Sequence, residues 1–224
     1  MALTNRQIER YSRQIIVDKF GGVAQERLLA ARVLIIANDT DAETVLAYLV
    51  GAGVGNVALC ADLDVAGREA IVARMRDLNA DSVVSIGTQA ASEAAQFDLA
   101  LAIVSDRATL DRTRELCERP FGFARIIARI DAPAKLAVIS ARPPCPKCVA
   151  GGELLAPIGQ RVENGGFIAT LAALEAVKLL AQFNPAQKPA LIEFNGYTSA
   201  ARVLDSNAEA ACACGVTSTE KLRE

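Results

Sequence analysis

Residues 32–64, RVLIIANDTDAETVLAYLVGAGVGNVALCADLD, decide how this chain folds. Residues 32–37 (RVLIIA) form a short apolar run rich in β-branched side chains and bounded by a polar cluster. That pattern predicts a strand buried on both faces. A helix is expected from about 42 to 50, followed by a glycine-rich turn at 51–55 and a second strand ending near Ala61. Strand, helix and strand in this order make a βαβ unit.

The same alternation continues outward. REAIVARMRDLNA has helical periodicity with charged residues on its outer face. FDLALAIV (97–104) reads as a third strand, 108–117 as a helix, and 123–130 and 135–140 as further strands. Spacing of this kind predicts the α/β class, with a doubly wound, mostly parallel sheet. Residues 5–31 look helical, with a break at Gly21-Gly22. The C-terminal third has a break at Pro143-Pro144, a long helix ending near Phe183 and two short strands near 191–194 and 201–204, an antiparallel extension of the sheet. No flexible linker divides the chain. One domain is expected, with a helical segment at 1–31, a core at 32–140 and a C-terminal part at 141–224.

Composition removes several classes of function. Of 224 residues, 52% are hydrophobic and the net charge is −2, so neither nucleic acid nor an anionic membrane is expected as a partner. The chain contains no histidine, which excludes a Ser-His-Asp triad, a Cys-His dyad, a His-ligated metal and imidazole acid/base chemistry. The longest apolar candidate, 167–183, carries Glu175 and Lys178 and reads as an amphipathic or buried helix. A polar N-terminus without a signal-peptide core points to the cytoplasm. Four of the six cysteines form two tight pairs, Cys145/Cys148 and Cys212/Cys214, 64 residues apart. A closed set of four thiolates suits structural zinc, against which stand a disulfide or free thiols.

The opening ERYSRQIIVDKFGGVAQERLLAARVLIIA resembles the start of the MoeB/ThiF/HesA family, bacterial relatives of ubiquitin-activating enzymes. YLVGAGVGNVALCADLD, FDLALAIVSD and FIATLAALEAVKLL agree in the same order, and the cysteine pairs stand where that family carries its zinc ligands. The resemblance implies a Rossmann-like fold that dimerises. It also implies ATP with magnesium, and adenylation of the C-terminal glycine of a small β-grasp carrier. Asp62, at the end of the second strand, matches a ribose-binding acid, and Asp106 the aspartate that helps hold magnesium. Arg10 and Arg13 match the RYxRQ arginines. Arg13 is the closer match to the one that reaches a partner subunit's ATP.

The chain departs from the family where phosphates should bind. The glycine loop is replaced by Ala37, Asn38, Asp39, Thr40, Asp41 and Ala42. One carboxylate ~4 Å from a phosphate charge costs roughly 4 kcal/mol at an effective dielectric near 20, on the order of a thousandfold in affinity. Asp39, Thr40 or Asp41 is expected instead to cap the following helix. After Asp64 the arginine-bearing segment is missing, and Ala70 stands where a lysine belongs, with Arg68 as a substitute or a surface residue. Asp106 equally suits a helix cap. No cysteine lies between Cys148 and Cys212, so thioester chemistry is not expected. These features predict a member of the family that has lost its own ATP site and works as a non-catalytic partner, in a homodimer or with an active homologue, able to bind a β-grasp carrier. Its dimer surface is expected on apolar faces near 44–54 and on the N-terminal helix. The rivals are an active adenylyltransferase with an unusual phosphate loop and a Rossmann-type oxidoreductase.

Overall fold

The strand expected at residues 32–37 lies at the heart of the sheet. In a computed structural model, which describes residues 2–87, 96–117, 123–139, 153–159, 165–183 and 190–204, β1 (Arg32–Ile36) is followed by β2 (Asn56–Cys60), β3 (Val83–Gly87), β4 (Leu99–Val104), β5 (Ala124–Arg129), β6 (Ala134–Ile139), β7 (Ala190–Asn195) and β8 (Ala200–Leu204). They form one sheet in the order β3-β2-β1-β4-β5-β6-β7-β8. The first five in that order are parallel, and β6, β7 and β8 continue it antiparallel. The α/β, doubly wound architecture with an antiparallel extension is therefore present.

Helices α1 (Asn5–Ile15), α2 (Gly21–Ala30), α3 (Asp39–Ala52), α4 (Val65–Leu78), α5 (Arg107–Cys117) and α6 (Gly165–Leu180) pack around this sheet. Val33 and Ile35 of β1 join one core with α3 and α6, while Leu34 and Ile36 join a second core with α5. Burial on both faces explains why β1 reads as an unbroken apolar run rather than an alternating one. β3 escaped the sequence reading because VVSIG is short and half-exposed throughout. The N-terminal break comes earlier than expected: α1 ends at Ile15, and Gly21 (φ 67) opens α2. At Gly55 a Cβ would lie 1.9 Å from the Leu29 carbonyl oxygen, so the turn into β2 passes too close to α2 for any side chain.

Two expectations need correction. Helix α3 begins at Asp39, three residues before the expected start at 42, so the stretch matching the phosphate loop is largely helical. Its cap is Asn38, in extended geometry (φ −110, ψ 149) and making no side-chain capping bond, rather than Asp39, Thr40 or Asp41. In addition, Val45, Leu46, Leu49, Val50 and Val54 are buried inside the chain, so the apolar face near 44–54 is already used by the monomer's own core. Tyr48 is the large side chain left exposed there. Among the described residues no helix is long and apolar enough to cross a membrane.

Candidate functional site

Parallel sheets of this type bind ligands outside the carboxyl ends of the strands, where the strand order reverses. Here that point lies between β1 and β4. The residues leaving those strands are Ala37 and Asn38 on one side, and Ser105 and Asp106 on the other. The Asn38 side-chain amide donates to Asp106 Oδ2 and so spans the crevice. Asp106 Oδ1 accepts the Thr109 amide at 2.8 Å and the Thr109 hydroxyl at 2.9 Å. The Thr109 oxygen in turn accepts the Ser105 and Asp106 amides at 3.1 Å each. Asp106 is thus the cap of α5. Burial works to raise its pKa, but the hydrogen bonds from Thr109 and Asn38 outweigh burial and hold it below the usual carboxylate value.

The second acid is also engaged. Both Asp62 oxygens lie 2.8 Å from Nη2 of Arg112, on α5. Burial works to lower the Arg112 pKa, but hydrogen bonding to Asp62 and the nearby Cys60 and Asp106 raise it above its ordinary value. Asp64 caps α4 by accepting the Gly67 amide at 2.8 Å. Arg68 turns back to donate to the Leu63 carbonyl at 2.9 Å. Asp41 is buried where α3 meets the first residue of α6: a Cβ on Gly165 would lie 3.0 Å from Asp41 Oδ1. A carboxylate beside a helix N-terminus is favoured by the helix dipole.

Three buried polar atoms around the crevice have no hydrogen-bond partner among the described residues: Asn38 Oδ1, Ser105 Oγ and Arg112 Nη1. Arg112 was missed from the sequence because nothing local marks it. Its role depends on α5 bringing it beside the end of β2.

A second cluster, also unforeseen, closes the end of β5. Arg129 is 3% exposed and pairs through Nε and Nη2 with both oxygens of Asp131. Its Nη1 donates to the carbonyls of Glu153, Leu154 and Ala156, and Nη2 to that of Pro157. Asp131 also accepts the Gly159 amide at 3.0 Å. Burial works to raise the Asp131 pKa, but Arg129 and the Gly159 amide draw it below normal. The signal was present as a charged residue ending the apolar strand ARIIAR, since a buried arginine demands partners.

On α1, Arg6 pairs with Asp81 and Arg10 donates to the Leu78 carbonyl, both within the same chain. Arg13 is exposed on the last turn. Cys60 is buried and Cys117 half-buried. Cys145, Cys148, Cys212 and Cys214 lie outside the described residues, and no group of metal-binding side chains occurs among the described ones.

The fold and parts of the sequence have counterparts among known proteins. The chain is 33% identical over 97 residues to the SAMP-activating enzyme E1 of Haloferax volcanii, covering 43% of this chain and 34% of that one. It is 41% identical over 63 residues to the sulfur carrier protein ThiS adenylyltransferase of Escherichia coli, covering 28% and 25%. The chain is a relative of the MoeB/ThiF/HesA-type proteins. Its matches span only a quarter to a third of those relatives' lengths. No protein-family model matches it. Among solved structures, E. coli MccB with ATP superimposes with a TM-score of 0.69 at 15% identity, covering 91% of this chain and 72% of that one. PaaA gives 0.66 at 14%, covering 92% and 75%. This likeness establishes the shared Rossmann-like fold.

Proposed function

We propose that this relative of the ThiF/MoeB-type adenylyltransferases does not adenylate a carrier itself and serves as a non-catalytic subunit, paired with a second copy or an adenylating homologue. The observation that carries this reading is the Asn38–Asp106 hydrogen bond across the switch point, with α3 starting at the next residue, Asp39. ATP with magnesium does not fit the residues present. Helix and side chains stand in place of a glycine loop, Asp106 is committed to Asn38 and Thr109, and Asp62 to Arg112. The orphaned atoms Asn38 Oδ1, Ser105 Oγ and Arg112 Nη1 leave a polar floor but no phosphate cradle. Because the curated relatives are named for activating SAMP and sulfur carrier proteins, a small β-grasp carrier is the partner class proposed for the assembly.

The subunit surface lies on the α1–α2 elbow, where Ile16 and Val23 are 80% and 62% exposed. Arg13, exposed beside them, is the residue that would stabilise charge in the active site of an adenylating partner. The proposed zinc has the four thiolates of Cys145, Cys148, Cys212 and Cys214 as a closed donor set, which suits a structural metal. Metal analysis of protein purified without chelator should find about one zinc per chain.

Calorimetry should give a dissociation constant for ATP–magnesium weaker than about 1 mM, and the chain alone should show no ATP/pyrophosphate exchange. A micromolar constant with exchange would favour an active adenylyltransferase with an atypical loop. Mixing with a glycine-loop homologue tests the subunit role. A complex whose exchange falls at least about 10³-fold on Arg13→Ala supports it, and a strictly monomeric chain that binds no homologue removes it.

A further inference from the structure

At the opposite end of the sheet, the amino ends of β1, β4 and β5 open on a cleft of about 430 Å³ between the last turns of α2 and α6. Its floor is apolar, with Leu99, Leu179 and Leu180, and its polar groups are Arg27, Asp98 and Gln182. The volume is in the range of small-molecule sites, and the lining is shared about equally between polar and apolar surface, which suits a small ligand carrying both kinds of group.

The charges in this cleft are not spent on each other. Among the described residues Arg27 donates one bond, from Nη1 to the Ala181 carbonyl at 3.2 Å. Asp98 accepts the Arg32 amide at 2.9 Å through Oδ2, and its other oxygen has no partner among the described residues. No ion pair joins Arg27 on α2 to Asp98 at the start of β4, although both line the cleft. Gln182 adds a third observation. It adopts φ 53 just past the end of α6, the left-handed position that glycine usually takes after a helix, so an amide side chain is kept beside the cleft at some backbone strain.

We infer that this cleft binds a free α-amino acid with an apolar side chain. The carboxylate meets Arg27. The ammonium meets Asp98 and the negative carbonyl end of α6. The side chain covers the leucine floor. A ligand with a single charge would gain from one wall and be repelled by the other, whereas a zwitterion satisfies both.

The test titrates the whole isotopically labelled chain with L-leucine, N-acetyl-L-leucine and L-leucinamide, following amide shifts. Leucine should bind with a constant on the order of 1 mM, and each half-charged analogue at least about tenfold more weakly. Arg27→Gln and Asp98→Asn should each weaken leucine by about tenfold, and Ala30→Phe, at an exposed position on the wall, should abolish the shifts without changing Tm. The inference is overturned if leucine produces no saturable shift by about 50 mM, if N-acetyl-leucine or leucinamide binds as well as leucine, or if the three variants bind it unchanged. None of these outcomes bears on the nucleotide crevice, which none of the three variants touches.

Discussion

The two ends of the parallel strands treat charge in opposite ways. At the carboxyl end the polar side chains bind one another: Asn38 with Asp106, Arg112 with Asp62, and Arg129 with Asp131 and four carbonyls. At the amino end, Arg27 and Asp98 line one cleft without pairing. Sheets of this class normally reserve the carboxyl end for ligands. Here α3 begins at Asp39, directly after β1, and the acids at that end are held by structural partners.

If the carboxyl end is structural, its substitutions should register in stability, and Arg129 should register most. Arg129→Ala leaves Asp131 buried without its cation and strips donors from four carbonyls, so urea denaturation should show a loss of about 3–5 kcal/mol. Arg129→Lys should recover little of it, because one ammonium cannot reproduce the planar fork that serves six oxygens. A loss below about 1 kcal/mol would mean that the segment 153–159 is held by something else.

Asp106 comes next. Asp106→Ala removes the α5 cap and the partner of Asn38, an expected cost of about 1–2 kcal/mol. Because the folded state lowers its pKa, Asp106 contributes stability above its ordinary carboxylate pKa and loses that contribution as pH falls through the lower folded value. Acid titration of Asp106→Asn should therefore give a shallower fall in stability below about pH 4 than the wild type.

The Asp62–Arg112 pair is half-exposed and should matter less. Asp62→Ala should cost at most about 1 kcal/mol, and roughly 0.5 M salt should erase most of that. The smallest effects belong to the amino end. Arg27→Gln and Asp98→Asn should each change stability by no more than about 0.5 kcal/mol, since both side chains are exposed and each replacement can keep the one hydrogen bond made there. An equal loss at both ends would erase the contrast.

Local pattern alone determined the alternation of strands and helices, β3 excepted, the parallel core, the presence of two short C-terminal strands and the absence of glycine from residues 37–42. These follow from periodicity and from residue types whose effect acts within a few positions, so they survive without knowledge of the fold. RVLIIA could be read as a doubly buried strand because every residue in it is apolar, whereas VVSIG could not, because an edge strand needs no such run. The tertiary structure alone decided which polar groups meet. Asn38 and Asp106 are 68 positions apart, Asp62 and Arg112 are 50 apart, and Arg27 and Asp98 reach one cleft from different elements. It also decided that the apolar face of 44–54 was already consumed inside the monomer, which amphipathic pattern cannot distinguish from an interface. A hydrogen bond has a range of about 3 Å, and the sequence carries no such distance between residues the chain brings together only by folding.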